Sequence, residues 1–334
     1  MKRFLIVQTA FIGDVILASS LIEKLHLQYP DSKIDFLLRK GNEGLFENHP
    51  FLNRVIVWDK KNNKFKNLFK LVLDLRKTNY SYLINLQRFA SSGLISLFSK
   101  AECKIGFDKN PFSMFFTHSI THEIGNGQHE IERNQKTIKN ITDGVCLKPK
   151  LYPSHENVES IIALQEKYKT IVNDYYCLAP ASIWFTKQFP EEKWVELIQL
   201  LGSKYCIFLL GGISDFKLCQ RIIEKSKIDC INLSGKLGFL ESAELMKNAK
   251  MNFVNDSAPM HLASSVNAPV TVFYCSTIPE FGFGPLSDNS RIIQTNQNLS
   301  CRPCGLHGFK SCPKTHFRCG NEINLKELPE LYNI

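Results

Sequence analysis

The chain has 334 residues, 44% of them hydrophobic and 22% charged, with a formal net charge of +9. That length exceeds one ordinary core and predicts two domains of about 150 residues each, while the composition excludes a disordered or collagen-like chain. The positive balance predicts anionic partners: phosphorylated sugars, nucleic acid or an acidic membrane surface.

Met1-Lys2-Arg3 and the apolar run after them look like the start of a signal peptide, but Asp14 interrupts the run and no cleavage site follows. A central Asp costs about 2.5–3.5 kcal/mol in a membrane helix, and no other stretch reaches the length of a span. The expectation is a cytoplasmic protein. Lys2–Gln8 reads as a strand buried on both faces, Thr9–Asp14 as a turn, and Ala18, Leu21, Ile22 and Leu25 as the inner face of a helix ending near Tyr29-Pro30. Strands follow at Lys33–Leu38 and Arg54–Trp58. The spacing predicts a helix over Asn62–Arg76 with Phe65, Leu68, Phe69, Val72 and Leu73 inward, then a strand at Ser81–Leu86 and a helix at Ser91–Phe98. Asp108–Asn126 reads as irregular and His129–Ile141 as a helix.

A boundary near Thr142–Ser154, rich in turn residues, divides the chain into domains 1–148 and 149–334. In the second domain strands are expected at Tyr175–Ala179, Cys206–Leu210, Cys230–Leu233, Met251–Val254 and Val270–Tyr274. Helices alternate with them at Glu191–Leu201, Phe216–Lys225 and Leu240–Asn248. Such alternation predicts a doubly wound parallel sheet in each half, with ligands at the carboxyl ends of the strands.

The stretch Phe253–Ser276, FVNDSAPMHLASSVNAPVTVFYCS, joins two of these strands, and Asp256-Ser257-Ala258-Pro259 opens the helix between them. Asp and Ser suit an N-cap and Pro the first turn. A strand feeding a helix N-terminus also makes an anion site, towards which His261 can point. By its residues alone the stretch is either a capped helix or a phosphate cradle. N-D-S-A-P-M-H-L-A-S resembles the D-[ST]-G-P-M-H-L-A signature of glycosyltransferase family 9, the family of the lipopolysaccharide heptosyltransferases, with Ala258 where that family usually has Gly. The resemblance covers nearly the whole chain. It implies an α/β fold of GT-B architecture, two Rossmann-like doubly wound domains facing a central cleft. The N-terminal one would bind the acceptor and the C-terminal one the nucleotide sugar.

Other segments carry the same likeness. F-I-G-D-V-I-L-A-S-S-L is similar to the family's opening motif, with Ser20 for its usual Pro, and implies that Asp14 is the catalytic base and that Gly13 lies at the acceptor site. A sugar hydroxyl needs such a carboxylate to take its proton; by residues alone Asp14 is equally a helix cap. Ala181-Ser182 through Lys187-Gln188-Phe189-Pro190 matches the segment whose Lys offsets the donor diphosphate, which brings in Ser182 and Lys187. Phe189 is expected to pack. Gly211-Gly212-Ile213-Ser214-Asp215 matches a G-G-x-x-[ED] element, so Asp215 is a donor residue by resemblance and a turn cap by its own pattern. Asp256, Ser257, Ala258 and His261 complete the donor set.

Gln87-Arg88 stands where the family has an acceptor contact, with Asn85 in place of its Asp. Lys60–Lys77 holds seven basic residues and one acidic one. They form the solvated face of a helix, or, at Lys60, Lys61 and Lys64, a contact for a phosphorylated acceptor or anionic lipid.

Eleven cysteines, an odd number, argue against a complete disulfide framework. Cys301-x2-Cys304-x7-Cys312-x6-Cys319, with His307 and His316 nearby, is either a structural zinc site or a set of buried thiols. There is no G-x-G-x-x-G, P-loop or D-x-D sequence.

The expectation is an inverting, metal-independent glycosyltransferase with no required cofactor. Its donor would be ADP-heptose, and its acceptor an anionic glycolipid such as lipopolysaccharide core at the cytoplasmic face of the inner membrane. Nucleic acid is not an expected partner. A nucleotide-sugar epimerase and a non-catalytic nucleotide-sugar-binding homologue are the alternatives.

Overall fold

The computed structural model describes residues 1–328 apart from Ile171 and Asn173; the expected second domain runs on to residue 334, so its last six residues lie outside the described ones. The chain divides into two units, Met1–Tyr152 and Pro153–Ile334. The first runs β1 (Arg3–Val7), α1 (Ile12–Gln28), β2 (Lys33–Arg39), β3 (Leu52–Trp58), α2 (Lys64–Leu75), β4 (Tyr80–Asn85), α3 (Ala90–Phe98), β5 (Ala101–Phe107), β6 (His118–Ile120) and α4 (Glu130–Lys136). The second runs α5 (His155–Tyr168), β7 (Tyr175–Ala179), α6 (Glu191–Leu201), β8 (Cys206–Leu209), α7 (Phe216–Ser226), β9 (Ile231–Asn232), α8 (Phe239–Lys247), β10 (Met251–Asn255), α9 (Ala258–Ser265), β11 (Val270–Tyr274) and β12 (Ser290–Gln294).

The first sheet has the order β3-β2-β1-β4-β5-β6 and the second β12-β11-β10-β7-β8-β9. Read from its own first strand, each is the same doubly wound order. Every pairing is parallel. In this topology the order reverses between β1 and β4 and again between β7 and β10, and the loops leaving those strands flank the crevice where ligands sit. Asp14 follows β1 and Arg88 follows β4; Lys187 follows β7 and Asp256 follows β10. These four residues therefore stand at switch points, whereas Lys60, Lys61 and Lys64 follow the edge strand β3 and Asp215 follows β8.

Strands buried on both faces need continuous apolar runs. Phe4–Val7 supply one, fully buried; Met251–Asn255 is buried throughout too, with its Asn252 and Asn255 side chains hydrogen-bonded inside the fold. α1 buries Val15, Ile16, Leu17, Ala18, Leu21, Ile22 and Leu25, and the hydroxyls of its buried Ser19 and Ser20 bond back to the carbonyls of Ile16 and Leu17. In the second unit Phe189 stacks on Phe273 with ring centres 4.1 Å apart and meets Trp194 edge-on. Phe189 packs, as expected.

Several expectations are corrected. The helix after β1 begins at Ile12, so Gly13 and Asp14 lie in its first turn and not in the preceding turn. Asp108–Asn126 contains the edge strand β6, and α4 ends at Lys136 before a short 3-10 turn at Lys139–Ile141. β5, β12 and α5 also went unpredicted. On α2 the buried residues are Leu68, Leu71 and Leu75, with Val72 half-buried. Phe65, Phe69 and Leu73, expected inward, are 76%, 66% and 48% exposed. An inward face of Leu68, Leu71 and Leu75 satisfies the i, i+3, i+7 period by itself and turns Phe65, Phe69 and Leu73 outward.

Candidate functional site

In the first unit the loop leaving β1 feeds α1 through Phe11, an N-cap in extended backbone (φ −75°, ψ 169°) whose side chain caps nothing. Asp14 stands three residues on, in the first turn, where the nearby backbone amides of Phe11 and of Asp14 itself favour its charged form. Burial pushes the Asp14 carboxyl up to about 6, and the neighbouring Glu130 carboxylate pushes the same way; the first-turn amides and the Arg88 guanidinium pull against them. Asp14 is therefore a carboxylic acid in mild acid and a proton acceptor at neutral pH, the poise a general base requires.

Glu130 is buried at the start of α4, 2.7 Å from Arg133 Nε and 3.5 Å from His122 Nε2. Burial alone would raise its pKa, but the hydrogen bond from His122 and the Arg133 charge outweigh it and hold the carboxyl below its usual value. Two neighbouring carboxyls are thus pushed apart, Glu130 down and Asp14 up, a pattern that separates acid and base roles. Replacing Glu130 with Gln removes the negative charge beside Asp14. We expect the rising limb of kcat/KM against pH, set near 6 by Asp14, to move to lower pH in this variant; a limb that stays in place would mean that Glu130 does not tune the base.

Around the same strand ends, Lys60 donates from Nζ to the Thr9 carbonyl at 2.8 Å and lies 4.7 Å from the centre of the Trp58 ring. Burial, with Arg39 and Lys64 nearby, lowers its pKa to about 8. Gln87 is buried and donates to the Gln8 side-chain carbonyl, bridging the ends of β4 and β1. Its role is to hold the two strand ends together. Asn85 is likewise spent inside the fold, on Ser92, Ser96 and the Gln87 amide. Arg88, Lys61 and Lys64 are exposed.

In the second unit the expected N-cap is not formed. α9 begins at Ala258 with Ser257 as its N-cap, but the Ser257 hydroxyl donates weakly to the Asn255 carbonyl at 3.4 Å and caps no amide. Asp256 is instead held by Lys187 Nζ at 2.7 Å and by the Thr277 hydroxyl at 2.5 Å. Lys187 and Asp256 are 15% and 8% exposed, so the pair is largely desolvated. Asn255 fastens the two loops, accepting from the Phe189 amide at 2.8 Å and donating to the Pro180 carbonyl at 2.8 Å. His261 is buried on α9, Ala258 opens that helix, and half-buried Ser182 accepts from Gln188 through its carbonyl. Asp215 stands apart from this group. Its carboxylate accepts from the Gly212 amide at 2.8 Å and the Ser214 hydroxyl at 3.2 Å, and a Cβ on Gly211 would meet its side chain at 2.9 Å.

The C-terminal segment supports this site by hydrogen bonds. Arg302 donates to the carbonyls of Cys275 and Thr277 and to Gln294 Oε1, each at 2.7 Å, and so pins the end of β11 where Thr277 meets Asp256. Phe309 and Thr186 exchange two bonds, amide to hydroxyl at 2.8 Å and amide to carbonyl at 3.1 Å. Gly308, at φ +73°, lets the backbones come this close, for a Cβ there would fall 2.7 Å from Thr186 Oγ1. Thr186, Thr277, Arg302 and Glu130 were not singled out from sequence; only the spacing of Thr186 next to Lys187 offered a signal.

The four C-terminal cysteines line one cavity of about 380 Å³ with His316. Among the described residues no group of three or more His, Cys, Asp or Glu is placed to hold a metal ion as the side chains stand. Cys319 is drawn into the hydrophobic core and the Cys304 thiol donates to the Cys301 carbonyl at 3.4 Å. All eleven cysteines are free thiols.

Comparison with known proteins agrees with this geometry. Residues 68–308 match glycosyltransferase family 9 (heptosyltransferase). The chain is 22% identical over 316 residues to lipopolysaccharide heptosyltransferase 1 of Campylobacter coli, covering 89% of this chain and 91% of that one. Among solved structures, a family 9 glycosyl transferase from Veillonella parvula superposes with a TM-score of 0.79 at 21% identity, covering 87% of this chain and 85% of that one. The ADP-heptose lipopolysaccharide heptosyltransferase II of E. coli superposes with a TM-score of 0.76 at 21% identity, covering 100% and 99%. The two Rossmann-like units are those of the GT-B class of α/β proteins. The chain belongs to glycosyltransferase family 9, and it is a glycosyltransferase.

Proposed function

We propose that the protein transfers heptose from ADP-heptose to a lipopolysaccharide core or related glycolipid, with inversion at the anomeric carbon. The acceptor hydroxyl oxygen attacks that carbon as its bond to the diphosphate oxygen breaks. Asp14 takes the hydroxyl proton, and the nucleoside diphosphate leaves with the electron pair. The observation that carries the reading is the poise of Asp14, a carboxyl held near 6 at a switch point of a family 9 chain.

Lys187, with the amides at the start of α9, offsets charge on the leaving diphosphate. Ser182, Ser257, Ala258, His261 and Asp256 shape the donor site around them, and Asp256 acts by fixing the Lys187 ammonium. Asp215 lies in a turn of its own, and a donor contact there runs through the loop's amides. Gly13, Arg88, Lys60, Lys61 and Lys64 face the acceptor, and Gln87 positions the strand ends. In this reading residues 1–148 bind the acceptor and 149–334 the donor, no cofactor takes part, and the enzyme works in the cytoplasm against the membrane that carries its acceptor. Among the described residues no helix is long and apolar enough to cross a membrane.

The test is thermal stability against ADP-, UDP-, GDP- and CMP-sugars. A donor at 100 times its Kd adds about 2.7 kcal/mol of stability, so ADP-heptose should raise Tm where the others do not. Incubation with ADP-heptose and a lipopolysaccharide core acceptor should then yield extended glycolipid. A shift confined to another nucleotide would overturn the donor assignment, and conversion of the sugar nucleotide without acceptor would point to an epimerase.

A further inference from the structure

Helix α2 carries two apolar faces. Leu68, Leu71 and Leu75 are buried against the first unit's core. Phe65, Phe69 and Leu73 recur at i, i+4 and i+8 and form an outward stripe, 76%, 66% and 48% exposed. Two exposed phenylalanines one turn apart are costly in water unless something covers them. Lys66 and Lys70, both exposed, run alongside the stripe, and Lys64 Nζ lies 5.7 Å from the Phe65 ring centre. Between Lys60 and Lys77 there are seven basic side chains and one acidic one. That acid, Asp74, is already paired with Arg54 at 3.3 Å and Lys77 at 3.4 Å.

We infer that this face of α2 docks on an anionic lipid bilayer, the phenylalanines entering the headgroup boundary and the lysines lying over lipid phosphates. The charge decides between occupants. A second copy of the chain meeting this face symmetrically would set Lys64, Lys66 and Lys70 against the same three lysines, whereas an anionic leaflet complements them. Aromatic side chains flanked by lysines on one side of a short helix are the pattern of interfacial binding. The inference deepens the membrane-surface reading proposed above and rests on it, and it assigns that contact to particular side chains.

The test is co-sedimentation of the full chain with vesicles of phosphatidylglycerol and phosphatidylethanolamine, with phosphatidylcholine vesicles as the neutral comparison. The wild-type chain should bind the anionic vesicles and release them as salt is raised. Phe65→Ser/Phe69→Ser should lower the partition coefficient at least about 10-fold, by removing the two largest inserted groups. Lys66→Gln/Lys70→Gln should lower it about 10- to 30-fold on anionic vesicles alone. Both pairs are exposed and outside the proposed donor and acceptor sites, so far-ultraviolet circular dichroism and ADP-heptose binding should be unchanged. A wild-type chain that ignores anionic vesicles would sink the membrane reading itself. Full binding by the phenylalanine pair variant would sink only the assignment to α2. A wild-type dimer in light scattering that the same variant splits would show that a second copy covers the stripe.

Discussion

Replacing Asp14 with Asn should lower kcat by 10²–10⁴, the usual contribution of a general base, while leaving donor binding nearly intact. Asn keeps an oxygen for the Phe11 amide but accepts no proton from a sugar hydroxyl. The same change should stabilise the fold, because the carboxyl is raised from 3.8 to about 6. A group whose folded pKa is raised binds its proton more tightly folded than unfolded, so stability falls as pH climbs from about 4 to about 6 and stays lower above. About two units correspond to about 3 kcal/mol. The variant should therefore melt higher than the wild type at pH 8 and the same near pH 4. Retention of more than about a tenth of the wild-type rate would remove Asp14 as the base. Equal melting temperatures at pH 8 would remove the buried charge as the cause of its raised pKa.

Replacing Lys187 with Ala should weaken nucleoside diphosphate binding about 10- to 150-fold, since a hydrogen bond to a charged group is worth about 1.5–3 kcal/mol. The ion pair complicates the experiment. With Lys187 gone, Asp256 keeps only the Thr277 hydroxyl in a site where it is 8% exposed, and removing one partner of a buried pair costs about 3 kcal/mol or more of stability. The Lys187→Ala/Asp256→Asn double variant separates the two effects. It removes both charges, so it should recover much of the stability while binding the diphosphate as weakly as the single variant. Calorimetric titration of ADP against both proteins gives the answer. A double variant that binds ADP like the wild type would mean that Lys187 serves only as a counter-ion to Asp256.

The strands that sequence reading missed share a cause. β6 is three residues, mostly exposed, and β12 is half-exposed along most of its length; both are edge strands, and β5 beside β6 is open over its first half. A strand paired on one side only, or covered on one face only, needs no continuous apolar run, so composition does not mark it. α2 failed differently. Its five apolar residues at helical spacing form two faces, and a period shows that a helix has an apolar side without saying which side the core takes.

By itself the sequence determined that strands and helices alternate in two halves, that Asp14, Lys187 and Asp256 follow strands, and that the motifs around them are those of family 9. These are local properties, written in runs of a few residues whose periodicity and turn chemistry act within one element. The tertiary structure alone decided which strands stand side by side, and so that these loops fall at the two switch points. It also decided that Asp256 answers to Lys187 and Thr277 and not to the helix it precedes, and that burial, helped by Glu130 more than a hundred residues away, raises the Asp14 pKa. Such pairings depend on desolvated charges brought together by sheet order. The free energy of a buried charge is fixed by what surrounds it in space, and neighbours along the chain do not specify that.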